Sequence, residues 1–469
     1  CWQIITSSMF DFFNTNKVPL LAETDILVIG AGSAGCIAAL AAASQKKFSV
    51  MLVERYGFPG GSSTQMLDTF YGFFTPGSAP KKIVSGLPDT IVNELNKTND
   101  IFLRPNTYGA GTGVNYNPER LKLVWDSQLL MNGINYLLHT CLVDVVKEEN
   151  GGMTCIFWNK SGFYRVIAKR IIDASGDADF SYLAGFDCEI AGQTEPVQSM
   201  TTTFRMCNVD LQAYTAAGGN KMLKEKMAKA HRDHTHELPR KEGSVHEMCQ
   251  PKCVSTVAVK VSGLSALSME QLTKAEIEGR KQAFIYEGFF RDIVPGYGYS
   301  KIIGLSHQIG VRETRRVYGE HRLTKEECMM GQIPEDTIFL CGAPIEDHRK
   351  GAEGEDETHW EYIPNSGVYG VPYGTIVPKG SRYSWVVGRC FSATHDAHAS
   401  CRSMAQTMSM GQAAGLAAIQ SLEKDTGAMN VDVKLLREEL FKLGQVLEVP
   451  EKIADIQRDG WQNNVMIKL

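Results

Sequence analysis

The chain has no excess of positive charge: 48 Lys and Arg stand against 53 Asp and Glu, a net charge of −5. That balance argues against a general nucleic-acid or anionic-membrane surface. Its twelve cysteines are spread from residue 1 to residue 401. They are too dilute for a disulfide scaffold, and no C-x2-C-x2-C run exists to hold a cubane iron–sulfur cluster. Residues 26–43 are free of charge and as long as a membrane span. Three glycines at 30, 32 and 35 break them after a complete strand, so a strand–turn–helix is expected and a membrane segment is not. The first residue is Cys, and no charged-then-apolar leader precedes residue 25, so no secretory signal is expected and the cytoplasm is the expected address. A composition of 43% hydrophobic and 22% charged residues leaves no room for a large disordered share. At 469 residues the chain exceeds what one core fills, which predicts two interleaved domains.

The chain is organised around Asp25–Glu54. Asp25–Ile29 is an apolar strand that stops at Gly30-Ala31-Gly32-Ser33-Ala34-Gly35; Cys36–Ser44 reads as a helix, and a second strand, Phe48–Val53, ends in Glu54. Gly30 permits the tight turn, Gly32 lets backbone approach a diphosphate, and Gly35 lets the helix lie against the strand. The helix start, with Ser33 and Ala34, offers free N–H groups to the phosphates, and Glu54 can accept from a ribose diol. After it come Arg55 and then Gly60-Gly61-Ser62. An acid at the strand tip followed by a Gly-Gly-Ser turn resembles the FAD-binding flavoproteins of the glutathione-reductase fold, so the dinucleotide is read as FAD.

Further along, Pro88–Asn96 is a short amphipathic helix, and Met66–Gly77 is aromatic-rich, as core or as a pocket wall. Tyr108–Gly113 repeats glycines but follows no apolar strand, so it reads as a loop. Asn117 with Pro118 behind it starts a helix to Asn132. Ile134–Val146 is expected as one strand, with Val143 in the stretch where such folds lay backbone against adenine. Arg170–Asp179 is a strand ending at Ser175-Gly176-Asp177, and residues 151–170 form a meander. A polar insertion, about 216–250, carries His231, His234, His236 and His246 beside Cys249 and Cys253. A solvated arm is the expectation there, a tetrahedral zinc site the alternative, and no metal is assigned. The strand WVVG leads to Gly388-Arg389 and the run His395-Asp396-Ala397-His398. A helix over Met404–Ile419 follows, with small residues at 411 and 413–415 for close approach, and a last helix over 433–447.

The blocks IGAGSAGCIAAL, ERYGFPGGSST, RIIDASGDAD, GVRETRRVYGEHRLT, VPYGTIVPKG and GRCFSATHDAHASCRSMAQTMSMGQAAGLAA together resemble the FAD-dependent oxidoreductases of the FAD_oxidored type, over residues 22–447. The resemblance implies an α/β protein: a Rossmann-like FAD-binding domain of the glutathione-reductase fold with an interleaved mixed α+β cap. The FAD domain would comprise 21–65, 118–190 and 385–469, the cap 66–117 and 191–384, and 1–20 a lead-in. Cys401-Arg402-Ser403-Met404 departs from the aliphatic–Arg–Val–Met run of relatives, and the His-rich arm is not a family feature.

In that fold the flavin ring would lie between residues 388–415 and the cap. A helix N-terminus around Met408–Ala413, including Gly411, Gln412 and Ala413, would offer N–H groups to a reduced flavin's negative edge, with Arg389 or Arg402 adding charge. His395 and His398 are the candidate bases for the proton that accompanies a hydride, because imidazole titrates near neutrality. Arg312, Glu313, Arg315 and Arg316 read as a helix-surface ion network joining cap to FAD domain, and Asp347-His348 as a lesser loop candidate. No second strand–Gly–helix unit exists for NAD(P)H, and no redox C-x2-C or C-x4-C lies beside the flavin loop. The expected function is a dehydrogenase or oxidase passing a hydride between a small organic substrate and FAD, with oxygen or another acceptor or donor as partner. A reductase fed by a separate donor and a non-redox isomerase or lyase are the alternatives. Self-association is compatible with all of these; nucleic acid and membrane are not expected partners.

Overall fold

A computed structural model describes residues 17–106, 109–147, 152–348, 358–364, 367–454 and 466–467. Most of the 1–20 lead-in, Tyr108 of the glycine-rich loop, and much of the chain after 454 lie outside the described residues. A seven-stranded mixed sheet forms the centre of this α/β protein, in the order Asn135–Leu137, Val50–Val53, Leu20–Ile29, Gly162–Asp173, Met153–Asn159, Cys141–Lys147. Strand Gly162–Asp173 lies parallel to Leu20–Ile29 along one side. On its other side the first half pairs antiparallel with Met153–Asn159, and the last residues pair parallel with Ser384–Val386. The strand ends at Ile29, Asp173 and Val386 therefore meet, although more than 350 residues separate the first from the last. Loops leaving the same end of a parallel sheet are where α/β proteins gather ligands.

The expected strand over 134–146 is in fact two, Asn135–Leu137 and Cys141–Lys147. His139 sits at φ 53°, a left-handed conformation that turns the chain between them and sends the second strand to the far edge of the sheet. Asn117 caps the helix Pro118–Met131 by accepting from the Glu119 N–H at 3.1 Å. The closing helix runs Val433–Lys442 and stops short of 447, where Gly444 takes φ 88°.

Every residue of the helix Ser33–Ala43 is buried. It lies against the long helix Met404–Glu423, and the contact requires glycine. A Cβ on Gly411 would fall 2.1 Å from the Ala34 carbonyl oxygen, and one on Gly415 would fall 2.5 Å from that of Ala38. Because 411 meets 34 and 415 meets 38, the two helices run in the same direction. At 1.5 Å per residue, the start of the long helix overhangs the start of the glycine-loop helix by about 10 Å. The apolar cluster around this pair also takes Phe70, Phe73, Ile91 and Tyr116 from the 66–117 segment.

A second apolar cluster lies under a four-stranded antiparallel sheet ordered Ser244–Glu247, Val254–Val257, Phe204–Cys207, Lys301–Leu305. Phe204 and Met206 face the 25-residue helix Met269–Ile293, whose Tyr286 and Phe290 pack on them. Strand alternation turns Arg205 to the other face, where His246, Ser255 and Arg205 stand in one cross-strand row. Among the described residues no helix is long and apolar enough to cross a membrane.

Candidate functional site

The glycine loop forms a cradle. Gly30 adopts φ 96°, and a Cβ there would sit 2.5 Å from the Ala174 carbonyl; one on Gly35 would fall 1.9 Å from the Gly30 oxygen. Those two positions are closed by protein. Gly32 differs: a Cβ built on it meets nothing within 4 Å, and as N-cap it carries no side-chain cap for the helix behind it. A concave, uncapped helix start at which backbone N–H groups stay open is the shape a diphosphate requires. Gly61 passes over it so closely that its own Cβ would reach 2.9 Å from the Gly32 Cα, and Gly60 forms a bridge to Gly32. The Ser33 hydroxyl is tied to Ser63 and the Gly60 carbonyl beneath, while Ser62 is exposed. The chain's residues therefore fit the FAD diphosphate.

Glu54 is 6% exposed, and its two oxygens accept from the Ala31 N–H at 2.7 Å and the Tyr56 N–H at 2.9 Å. Burial raises its pKa, with these backbone donors opposing the rise. Each oxygen keeps a second lone pair, and the carboxylate is fixed to the cradle itself. Arg55 lies over the Tyr56 ring at 4.9 Å and pairs with Asp177 at 3.4 Å. Val143 falls at the register shift between Leu142 and Asp144 in its strand.

Asp177 is the hub of the next turn. It receives Arg389 at 2.7 Å, the Thr314 hydroxyl at 2.8 Å and Arg55, and its backbone carbonyl accepts from Arg315 at 2.9 Å. Its pKa is lowered despite burial, through Arg389 and then Arg55. Gly176, at φ 80°, makes room for Arg389, which a Cβ would meet at 3.2 Å. Ser175 accepts from the Asp179 N–H and donates to Asp173, whose other oxygen takes the N–H and hydroxyl of Ser181. Gly388, at φ 82°, faces Ala34 across the loop.

The run after Arg389 folds as a short helix, His395–Cys401, and the chain restarts as Met404–Glu423. The expected helix N-terminus at Met408–Ala413 is thus misplaced: it lies at Ser403–Met404, and 408–413 are interior turns whose N–H groups serve the helix. Gly411 packs on Ala34, Gln412 accepts from the Leu87 N–H and donates to Gln445, and Ala413 is fully buried. These three pack the long helix against its neighbours. Nothing at 408–411 interrupts the helix, and Ser403 is the residue with extended backbone before it.

Spaced i, i+3 and i+7, His395, His398 and Arg402 share one face. His395 is 2% exposed and lies between two carboxylates, Nδ1 3.2 Å from Glu313 and Nε2 3.3 Å from Asp347. Burial works against its charge, but Asp347 and Glu313 outweigh it and hold the imidazole at about 9. Glu313 is correspondingly lowered to about 2, its burial overcome by His395. With its pKa held at about 9 the imidazole carries a proton at neutral pH, which favours an ion-pair role over that of a base, although Nε2, 3.3 Å from Asp347, makes no hydrogen bond. His398, fully buried, donates from Nε2 to the Arg389 carbonyl at 2.7 Å and leaves Nδ1 without a partner. Burial, then Arg316 and Arg402, push its pKa well below the ordinary range, so it is neutral.

The 312–316 ion network exists, but not on a helix. Arg315–Val317 is a strand paired with Cys188–Ile190, and Arg316 reaches Glu189 at 3.0 Å and Glu313 at 2.6 Å. Arg402 donates to Gln198 at 3.0 Å and to the Glu346 carbonyl at 3.2 Å. The Ala405 N–H, in the first turn of the long helix, donates to the Tyr71 carbonyl, and the Tyr71 hydroxyl meets Arg104. Asp347, the lesser loop candidate, is a partner of His395; Tyr71 lies in the aromatic-rich Met66–Gly77 stretch, whereas Gln198 and Glu346 are not singled out by the sequence. The insertion histidines are dispersed: His231 meets the Leu238 carbonyl, His236 meets Asp292, and His234 is exposed.

The profile of a family described as FAD dependent oxidoreductase matches residues 25–440. No curated protein matches the chain. Solved structures to which the chain is similar include a geranylgeranyl bacteriochlorophyll reductase-like protein of Thermoplasma acidophilum, at 13% identity over 90% of this chain and 83% of that one, TM-score 0.44. Others are p-nitrophenol 4-monooxygenase of Pseudomonas putida, at 8% identity over 94% and 93%, TM-score 0.43, and a flavoprotein/dehydrogenase of Cytophaga hutchinsonii, at 12% over 94% and 93%, TM-score 0.42.

Proposed function

The chain belongs to the FAD dependent oxidoreductase family, and from that premise we propose that it is a dehydrogenase or oxidase of a small molecule, acting at a C–H bond beside an alcohol or amine. The core is read as a glutathione-reductase-type FAD domain built from 21–65, 118–190 and 385–469, with the remainder as cap. Gly30, Gly32, Ser33, Ala34 and Gly35 would hold the diphosphate on main-chain N–H groups, with Gly60, Gly61 and Ser62 over it. Glu54 would take the ribose diol, Arg55 and Val143 would border the adenosine, and Ser175, Gly176, Asp177, Gly388 and Arg389 would frame the approach to the ring. Bound FAD supplies a hydride acceptor or donor.

The observation that carries the reading is the parallel helix pair. It puts the start of the long helix, Met404, about 10 Å along the helix axis beyond the start of the glycine-loop helix. The face bearing His395, His398 and Arg402 comes just before that start in the chain, which supports placing it toward the flavin ring. On that face His398 is the proton acceptor, because its Nε2–H is committed to the Arg389 carbonyl and its Nδ1 lone pair is not committed. Arg402 and the uncapped helix start supply positive potential. His395, held charged by Glu313 and Asp347, orients the helix and contributes a fixed positive charge. A substrate that gives up a hydride from carbon would give its O–H or N–H proton to His398, and electrons would then leave to oxygen or another acceptor.

The charged state of His395 favours one second reading, the reductase direction, in which an imidazolium donates a proton as a hydride reaches the substrate. Anaerobic mixing with alcohols and amines decides between them. Bleaching of the flavin colour supports oxidation of substrate. A chemically reduced protein that regains colour only with an unsaturated acceptor, and an oxidised one that no alcohol or amine bleaches, refute it. His398→Ala should slow bleaching by about 10²–10⁴-fold with FAD content unchanged.

A further inference from the structure

At the overhanging start of the long helix, the described residues of the cap and the histidine helix bring together more arginines than carboxylates. Arg240, Arg312 and Arg402 converge there, and among the described residues the carboxylates that answer them are Glu242 and Glu346. Glu313 and Asp347 also face Arg402, but each is already met by His395, and Glu313 by Arg316 as well. The arginines repel one another: burial, then Arg402, lowers Arg312 to about 9.

The hydrogen bonds point the same way. Arg402 and Gln198 are bonded to each other at 3.0 Å, yet the Arg402 Nε–H and the Gln198 amide nitrogen both lack an acceptor, and Gln198 is 1% exposed. Arg240, 8% exposed, likewise has an Nε–H without an acceptor. Buried donors in native structures are satisfied, so a bonded pair with two idle N–H groups beside further arginines indicates an absent acceptor. A planar anion with two oxygens matches an arginine edge and an amide in the way a point anion does not.

We propose that the substrate carries a carboxylate, received by Arg402 and the Gln198 amide with Arg312 as the second cation. The location of this arginine cluster beside the reacting face rests on the redox reading above; the anion site does not. The proposal is tested on the FAD-loaded protein by titration calorimetry and the flavin difference spectrum, with succinate as probe against succinamide and inorganic phosphate at equal ionic strength. Succinate should bind, with succinamide and phosphate at least tenfold weaker. Arg402→Gln and Arg312→Gln should each weaken succinate at least tenfold with FAD content retained, while the exposed Arg232→Gln leaves it unchanged. Equal binding of succinamide, phosphate matching succinate, no binding of succinate, or wild-type affinity in both pocket variants would overturn the site. An Arg402→Gln change confined to the flavin's own spectrum, with succinate affinity intact, would also overturn it and assign the charge to the cofactor. Arginine-dependent succinate binding in a protein whose flavin no substrate bleaches would sink the redox reading alone.

Discussion

Two glycines three residues apart should respond oppositely to the same methyl group. At Gly32 the backbone is extended (φ −66°, ψ 175°), which alanine adopts freely, and a Cβ meets nothing within 4 Å. Gly32→Ala should therefore leave the cofactor-free fold intact, or stabilise it by about 0.4–1 kcal/mol through the unfolded chain. The added methyl fills the space above the helix start, so a diphosphate would be pushed off the N–H groups there. Loss of one charge-assisted hydrogen bond costs about 1.5–3 kcal/mol, which is roughly 10–100-fold in FAD affinity. At Gly35 the same methyl would lie 1.9 Å from the Gly30 carbonyl oxygen and 2.9 Å from the Ala174 Cβ. Backbone is in the way, so Gly35→Ala should cost about 3 kcal/mol or more of fold stability, whatever the FAD concentration. Urea unfolding with and without saturating FAD, beside FAD titration by fluorescence, separates the two. A Gly32→Ala protein that binds FAD like the wild type would refute the cradle, as would a Gly35→Ala protein that is destabilised only through lost FAD.

Other perturbations test the ion pairs. His395 has a folded pKa of about 9 against an ordinary 6.5, so its contribution is complete below pH 6.5 and is lost as pH rises through 9. Unfolding free energies should fall by roughly 3 kcal/mol over that window in the wild type and stay nearly flat across it in His395→Gln. Glu313, lowered to about 2 from 4.5, adds stability above pH 4.5 that disappears as pH falls through 2, and Glu313→Gln should remove that acid limb. Arg316→Ala removes one of two cationic partners from each of Glu313, which keeps His395, and Glu189, which keeps Arg322, and should lose about 1.5–3 kcal/mol by urea unfolding. Gly411→Val drives a branched side chain at the Ala34 carbonyl, so both the unfolding midpoint and FAD content should drop, a joint loss not expected of the exposed Gly298→Val at thermal unfolding.

The central unit was readable because its residues report on local geometry. Glycines at 30, 32 and 35 between an apolar strand and an Ala-rich helix have few uses, and the structure gives each a separate reason. The small residues at 411 and 415 foretold a close approach, though not its partner, since that required knowing that the strands at 26, 170 and 384 meet in one sheet. Errors arose where the outcome depended on tertiary partners. Whether His395 is base or cation turns on Glu313 and Asp347, which reach it from segments 82 and 48 residues away. GVRETRR looked helical from its charges, but Arg316 is 3% exposed and Arg315–Val317 found a strand partner at Cys188–Ile190. Gln198 takes its place beside Arg402 from chain topology, so no local pattern announces it.

The most direct test of the account is the FAD content of the purified chain, read from its colour and from the nucleotide released by acid precipitation. The account predicts about one FAD per chain, in the supernatant, bleached without oxygen by a substrate of the class proposed. A colourless protein that remains colourless after soaking with FAD would contradict it.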